Sequence, residues 1–211
     1  MRDLVVITAD ADMEAVMRAV LKRPQALGIR DIAFEVRRHD GRDAGVFQNG
    51  PEVTRTLKSD FDRLLMLWDH HGSGQEHQLS PEASAEDVQR RLDGVTWRDR
   101  SNALALFPEL EEWLWHSPNA IGKWLGVPDS QLSIWQEEFA NQTGQTLKAI
   151  KRDSPKEMFQ FICRKHRKRL PRVQDYGQIA EVASLAAWQS SPTFKAMTEQ
   201  LKTWFPLTTT A

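Results

Sequence analysis

The sequence predicts an α/β protein: a mostly parallel sheet flanked by helices over residues 1–118, followed by an α-helical part over 119–211. Three observations carry this expectation. Apolar runs of strand length alternate with helical patterns up to about residue 118, the order expected of parallel strands joined by helical crossovers. The runs at 4–8 and 61–68 are rich in Leu, Val and Ile, as in strands buried on both faces. Beyond residue 119 the periodic segments have helical spacing, several of them opened by Ser-Pro.

Residues 4–8, Leu-Val-Val-Ile-Thr, form the first strand. Met13, Val16, Met17, Val20 and Leu21 then share one helical face, with Asp10 or Asp12 as cap and Glu14 in the first turn. Pro24 and Gly28 end that helix. Residues 32–37 alternate apolar and polar and read as a strand nearer a sheet edge. Residues 39–50 read as a polar, glycine-containing connection, and 51–60 as a helix entered through Pro51. The run at 61–68 is a buried strand that passes straight into the polar turn Asp69-His70-His71-Gly72. Residues 72–83 form the loop expected to be most mobile, and Ser84 caps the helix after it. Residues 101–107 are the fourth strand, with Pro108 opening a helix through Trp115. Helices are expected over 130–141, 154–167, 176–188 and 191–205, and a frayed tail over 208–211.

Lys and Arg number 28 against 29 Asp and Glu, a net charge of -1, so whole-molecule electrostatics draw no polyanion and nucleic-acid binding would need a local patch. The single cysteine, Cys163, excludes an internal disulfide framework and, lying among Phe159, Phe161 and Ile162, reads as core. Met1-Arg2-Asp3 leads directly into an apolar run too short for a signal peptide or a membrane span, which fits a cytoplasmic protein with no membrane partner. No Walker loop, dinucleotide fingerprint or nucleophile elbow is present.

Ligands of a parallel sheet gather outside the carboxyl ends of its strands. Three acidic segments fall there: Asp10, Asp12 and Glu14 after the first strand, Asp69 after the third, and Glu109, Glu111 and Glu112 after the fourth. Converging carboxylates need a cation or a basic partner, and an all-oxygen set suits Mg2+. Each piece also has a purely structural explanation, since Asp10 and Asp12 sit where caps belong and the glutamates fall in a first helical turn. His71, two positions from Asp69, is the histidine that strand geometry would place on the same side. Arg164, Lys165, Arg167, Lys168 and Arg169 form a dense positive run, either a grip on a phosphate backbone or a solvated helix face.

Four motifs carry a resemblance over most of the chain: Asp10-Ala11-Asp12-Met13-Glu14, Trp68-Asp69-His70-His71-Gly72, Pro108-Glu109-Leu110-Glu111-Glu112-Trp113-Leu114 and Ser191-Pro192-Thr193-Phe194. With them the sequence resembles a family of small bacterial Toprim-like proteins, related to the Toprim domains of topoisomerases, primases and OLD-type nucleases. The resemblance implies a metal-dependent nuclease site with Asp10, Glu14, Asp69 and Glu111 in catalytic roles, and Asp10, Asp69 and His71 as ligands of Mg2+ or Mn2+. It also implies an accessory part in a restriction-like or methylation-associated antiviral defence system, with other defence proteins and DNA or RNA as partners. The chain departs from the pattern at three positions: Asp10 stands in place of a glutamate, Ala11 of a glycine and His71 of a second aspartate. These changes weaken an oxygen-rich Mg2+ site, and a non-catalytic interaction module is the alternative expectation.

Overall fold

A computed structural model describes residues 1–207, so the tail expected at 208–211 lies outside the described residues. Strands β1 (Arg2–Thr8), β2 (Phe34–Arg38), β3 (Phe61–Asp69) and β4 (Ser101–Leu106) form one parallel sheet in the order β2-β1-β3-β4. Helices α1 (Ala11–Leu21) and α2 (Pro24–Leu27) join β1 to β2, α3 (Arg42–Val53) leads to β3, and α4 (Pro81–Leu92) leads to β4. Eight helices follow: α5 (Glu111–Trp115), α6 (Pro118–Leu125), α7 (Asp129–Thr143), α8 (Leu147–Asp153), α9 (Pro155–Arg167), α10 (Val173–Val182), α11 (Leu185–Trp188) and α12 (Pro192–Trp204). The α/β class and the helical C-terminal region are as the sequence predicts.

Alternation along the strands divides the core in two. Leu4, Val6, Leu65 and Leu67 face one side, where they join Met13 and Val16 of α1, Trp113 of α5, Phe159 of α9 and Ile179 of α10. Val5, Ile7, Leu64, Met66 and Trp68 face the other, against Val46 of α3 and Val88 and Leu92 of α4. One face of the sheet is thus covered by α1 together with the helical C-terminal region. Asp69 has the parity of Leu65 and Leu67 and therefore ends β3 on that face.

Several boundaries differ from expectation for local reasons. The supposed connection at 39–50 contains most of α3. Its glycines permit close approach rather than disorder: a Cβ on Gly45 would stand 2.7 Å from the His39 ring, and one on Gly50 would stand 3.0 Å from Met66 Sδ. Pro51 does not start a helix but lies in the last turn of α3. Having no N–H, it leaves the Phe47 carbonyl without its helical donor, and the Arg91 guanidinium donates to that oxygen and, at 3.0 Å, to the Gln48 carbonyl. Ser80, not Ser84, caps α4, its Oγ accepting the Ala83 N–H at 3.2 Å, while Ser84 is buried inside the helix. The single helix expected over 176–188 breaks between α10 and α11, where Ser184 caps the second piece. Among the described residues no helix is long and apolar enough to cross a membrane.

Candidate functional site

The strand order decides where side chains from separate segments can meet. β1 connects outward to β2 through α1 on one face, and β3 connects outward to β4 through α4 on the opposite face. The carboxyl ends of β1 and β3 therefore flank a topological switch point, the place where open α/β sheets take their ligands. Asp10 follows β1 and Asp69 ends β3 at this point.

Asp69 is 4% exposed. Its N–H donates to Asp43 Oδ1 at 2.8 Å, and its own Oδ1 accepts the Leu110 N–H at 2.9 Å. The second bond fastens the turn after β4 so that Glu109 and Glu111, on either side of Leu110, are held beside Asp69. Glu109 accepts the Lys156 N–H at 3.3 Å and faces Lys156 Nζ at 3.5 Å, so it also serves the open N-terminus of α9, whose own cap residue makes no side-chain bond. Glu111 Oε1 accepts the Tyr176 O–H at 2.6 Å and lies 3.9 Å from Lys156 Nζ. One oxygen from each of Asp69, Glu109 and Glu111 falls within 4.8 Å of the others, and all three residues are buried: this triad can hold a metal ion.

Burial sets the electrostatics of the centre. It pushes Glu111 up to about 7 against the pull of Lys156, and it raises Glu109 against the same pull. Burial also raises Asp69 well above the usual carboxylate range, with the charges of Asp43, Glu111 and Asp10 adding to it. Asp12 reaches about 7 through burial and then the charges of Asp10 and Glu111. Lys156 moves up despite its burial, because the carboxylates of Glu111 and Glu109 hold its ammonium protonated. Burial thus favours protons on these acids in the metal-free chain, and a divalent cation held by all three would take the place of those protons, with the Lys156 ammonium beside it.

Of the residues the sequence singles out, Asp69 and Glu111 come together. Asp10 stands near enough for its charge to act on Asp69, but its Oδ1 accepts the Met13 N–H at 2.9 Å as the cap of α1. Glu14 points along the helix to Arg18, at 2.8 Å, and is not one of the triad. His71 is not brought in either. The chain turns after β3, with Ser73 Oγ donating to the His70 carbonyl at 2.7 Å, and this leaves His71 exposed with its ring 5.7 Å from that of Phe107. The basic run disperses around the end of α9. Arg169 forks onto Asp175 at 2.6 and 2.9 Å, Arg167 donates to the Trp124 carbonyl at 2.7 Å, Lys165 pairs with Glu138, and Arg164 and Lys168 remain exposed. Cys163 is core, its thiol pushed up to about 12 by burial.

The sequence places Glu109 among the converging acids but not among the catalytic residues or ligands, reads Lys156 only as part of a positive region near the basic run, and gives no role to Tyr176 or Asp43. One signal was present: Lys156 follows Ser154-Pro155 in the first turn of a helix, where a cation opposes the helix dipole and needs another reason to be there. Beside the centre, Asp10, Asp12, Arg38, His39 and Arg42 line a polar pocket of about 440 Å3 that is open to solvent. A larger cavity, about 970 Å3, lies elsewhere, along β4.

Fold and site together define an α/β protein with a buried carboxylate centre at a switch point. Compared with protein-family models, curated proteins and solved structures, the chain matches none.

Proposed function

We propose that the chain is a Toprim-like, divalent-cation-dependent phosphoryl-transfer protein that acts on nucleic acid as an accessory component of a bacterial antiviral defence system in the cytoplasm. The observation that carries this reading is the triad of Asp69, Glu109 and Glu111, three buried carboxylates with oxygens within 4.8 Å of one another. An all-oxygen donor set suits Mg2+ or Mn2+. A bound ion of this kind supplies a Lewis acid for a phosphate oxygen and balances charge that develops in transfer. Lys156 holds two of the carboxylates in register and takes up part of their repulsion. Arg38 and Arg42, beside Asp10 in the open pocket, supply positive charge for an approaching phosphate. Calorimetric titration with Mn2+ and Mg2+, followed by a cleavage assay on DNA and RNA, tests the proposal. Binding of one ion per chain and cleavage that disappears in Asp69→Ala are expected. Cleavage unaltered in Asp69→Ala overturns it.

A second reading is a non-catalytic module that scaffolds partner defence proteins or binds nucleic acid. It is favoured by Lys156 itself, an internal cation within 3.9 Å of two of the three acids. Under this reading neither metal binds at millimolar concentration, and the protein copurifies with a partner.

A further inference from the structure

β4 is an edge strand, and its free side forms the floor of a cavity of about 970 Å3. The carbonyls of Arg100 and Leu106 accept from Leu64 and His70 of the β3 segment, so the even-numbered peptide groups of β4 face β3 and the odd-numbered ones face outward. Gln89 Oε1 takes the outward N–H of Ala103 at 3.1 Å, and the peptide of Ala105 opens towards the cavity. One wall comes from α4, and the other from α5, α8 and the start of α12.

The lining is mostly apolar by area, and several of its polar members are committed elsewhere. Phe107 is 41% exposed, an uncovered aromatic ring, and Leu104, Ala85 and Pro192 extend the apolar surface. Trp115 spends its N–H on the Pro155 carbonyl at 2.9 Å and offers the cavity only its ring. Glu112 is bound to His116 and, at 2.6 Å, to Ser191 Oγ. Arg152 is held by Asp153 at 2.6 and 2.7 Å. Lys151 differs: it is half-buried, and among the described residues it has no ion-pair or hydrogen-bond partner for its ammonium. Burial lowers its pKa with no carboxylate to offset the loss of water. The carboxylates on the opposite wall, Glu82 and Glu86, belong to α4 and form no ion pair with it.

We propose that the cavity along the free edge of β4 is a binding site for a small amphipathic organic anion, with its carboxylate on Lys151 and its apolar body against Phe107, Leu104 and Trp115. The size fits the range of small-molecule sites, on the order of 300–1,000 Å3, and so does an apolar lining with a few polar groups, of which Lys151 is the half-buried cation without a partner. Lys148, exposed on the same helix, adds positive charge at the mouth. The site is separate from the carboxylate centre, and none of Asp69, Glu109 and Glu111 lines it.

Calorimetric titration of the full chain with decanoate, decanol and decylammonium tests this directly. Decanoate is expected to saturate one site, with decanol about tenfold weaker, the size of one charge-assisted contact, and decylammonium weaker still. Lys151→Met should bring decanoate to the affinity of decanol and leave decanol unchanged. Ala196→Trp, which fills the exposed mouth from α12, should abolish binding of both. Thermal melting confirms that each variant is folded, and Lys151→Gln replaces Lys151→Met if the latter is not. Absence of saturable decanoate binding, equal affinity for decanoate and decylammonium, or undiminished decanoate binding in both Lys151 variants or in Ala196→Trp overturns the proposal.

Discussion

Asp69, Glu109 and Glu111 come from two chain segments about forty residues apart, yet their oxygens meet within 4.8 Å. The residues from Arg164 to Arg169 are consecutive, yet their charges go to Asp175, Trp124, Glu138 and solvent. A parallel sheet gathers what lies at its strand ends regardless of separation along the chain, whereas a helix end fans neighbours around its axis. Charge density in a sequence and charge density in space are therefore different quantities, and here they are inversely related.

The sharpest break of this contrast is Asp69→Ala. It removes a candidate ligand and the acceptor of the Leu110 N–H together, and under the proposed function should lower divalent-cation affinity by about a hundredfold or more in calorimetry, beyond the loss typical of a mere supporting residue. Lys156→Met comes next. It leaves buried carboxylates without their internal cation and should lower stability by about 2 kcal/mol at pH 8 in urea denaturation, less than a fully buried pair because Lys156 is 35% exposed. The loss should shrink at pH 5, where protons take over part of the neutralisation.

A pH series sharpens the same point. In the folded, metal-free chain Glu111 keeps its proton up to about 7, whereas an unfolded glutamate loses it near 4.5. Between those values the folded state binds more protons, so this group's contribution makes stability fall as pH rises through that window, and Asp12 acts in the same direction. Chemical denaturation at several pH values in chelator should show the fall, and Glu111→Gln should flatten it. The smallest effect is expected at the basic end. Arg164→Gln with Lys168→Gln should change stability by no more than about 0.5 kcal/mol, and a larger loss would mean that these exposed cations do more for the fold than their positions indicate.

The sheet was legible because its strands are continuous apolar runs, and Asp69 was legible because it ends one of them. Parity then does what sequence reasoning left undone. Leu65, Leu67 and Asp69 share a face, so the side chain of Asp69 meets the elements covering that face, α1, α5, α9 and α10 among them, while its backbone N–H goes to Asp43 of α3 on the other. His71 was expected on the same ground and failed, because parity holds only while the strand lasts, and β3 ends at Asp69. The α3 segment was misread because glycine was taken as a loop signal where it marks backbone close to His39 and Met66. Tyr176, the single tyrosine, gave no signal of its role because nothing local ties it to a glutamate across 65 residues.

That hydrogen bond also bears on the order in which the protein is assembled during synthesis. The four strands and all three acids have been made by residue 111, while Lys156 and Tyr176 are still to come. Until α9 and α10 arrive, these carboxylates stand in water, where they are hydrated and ionised at low cost. Docking of the last helices removes that water and supplies the ammonium and the phenol in one step. The charged centre is thus a product of completing the chain, because the helices that shift its acids are among the last to be made.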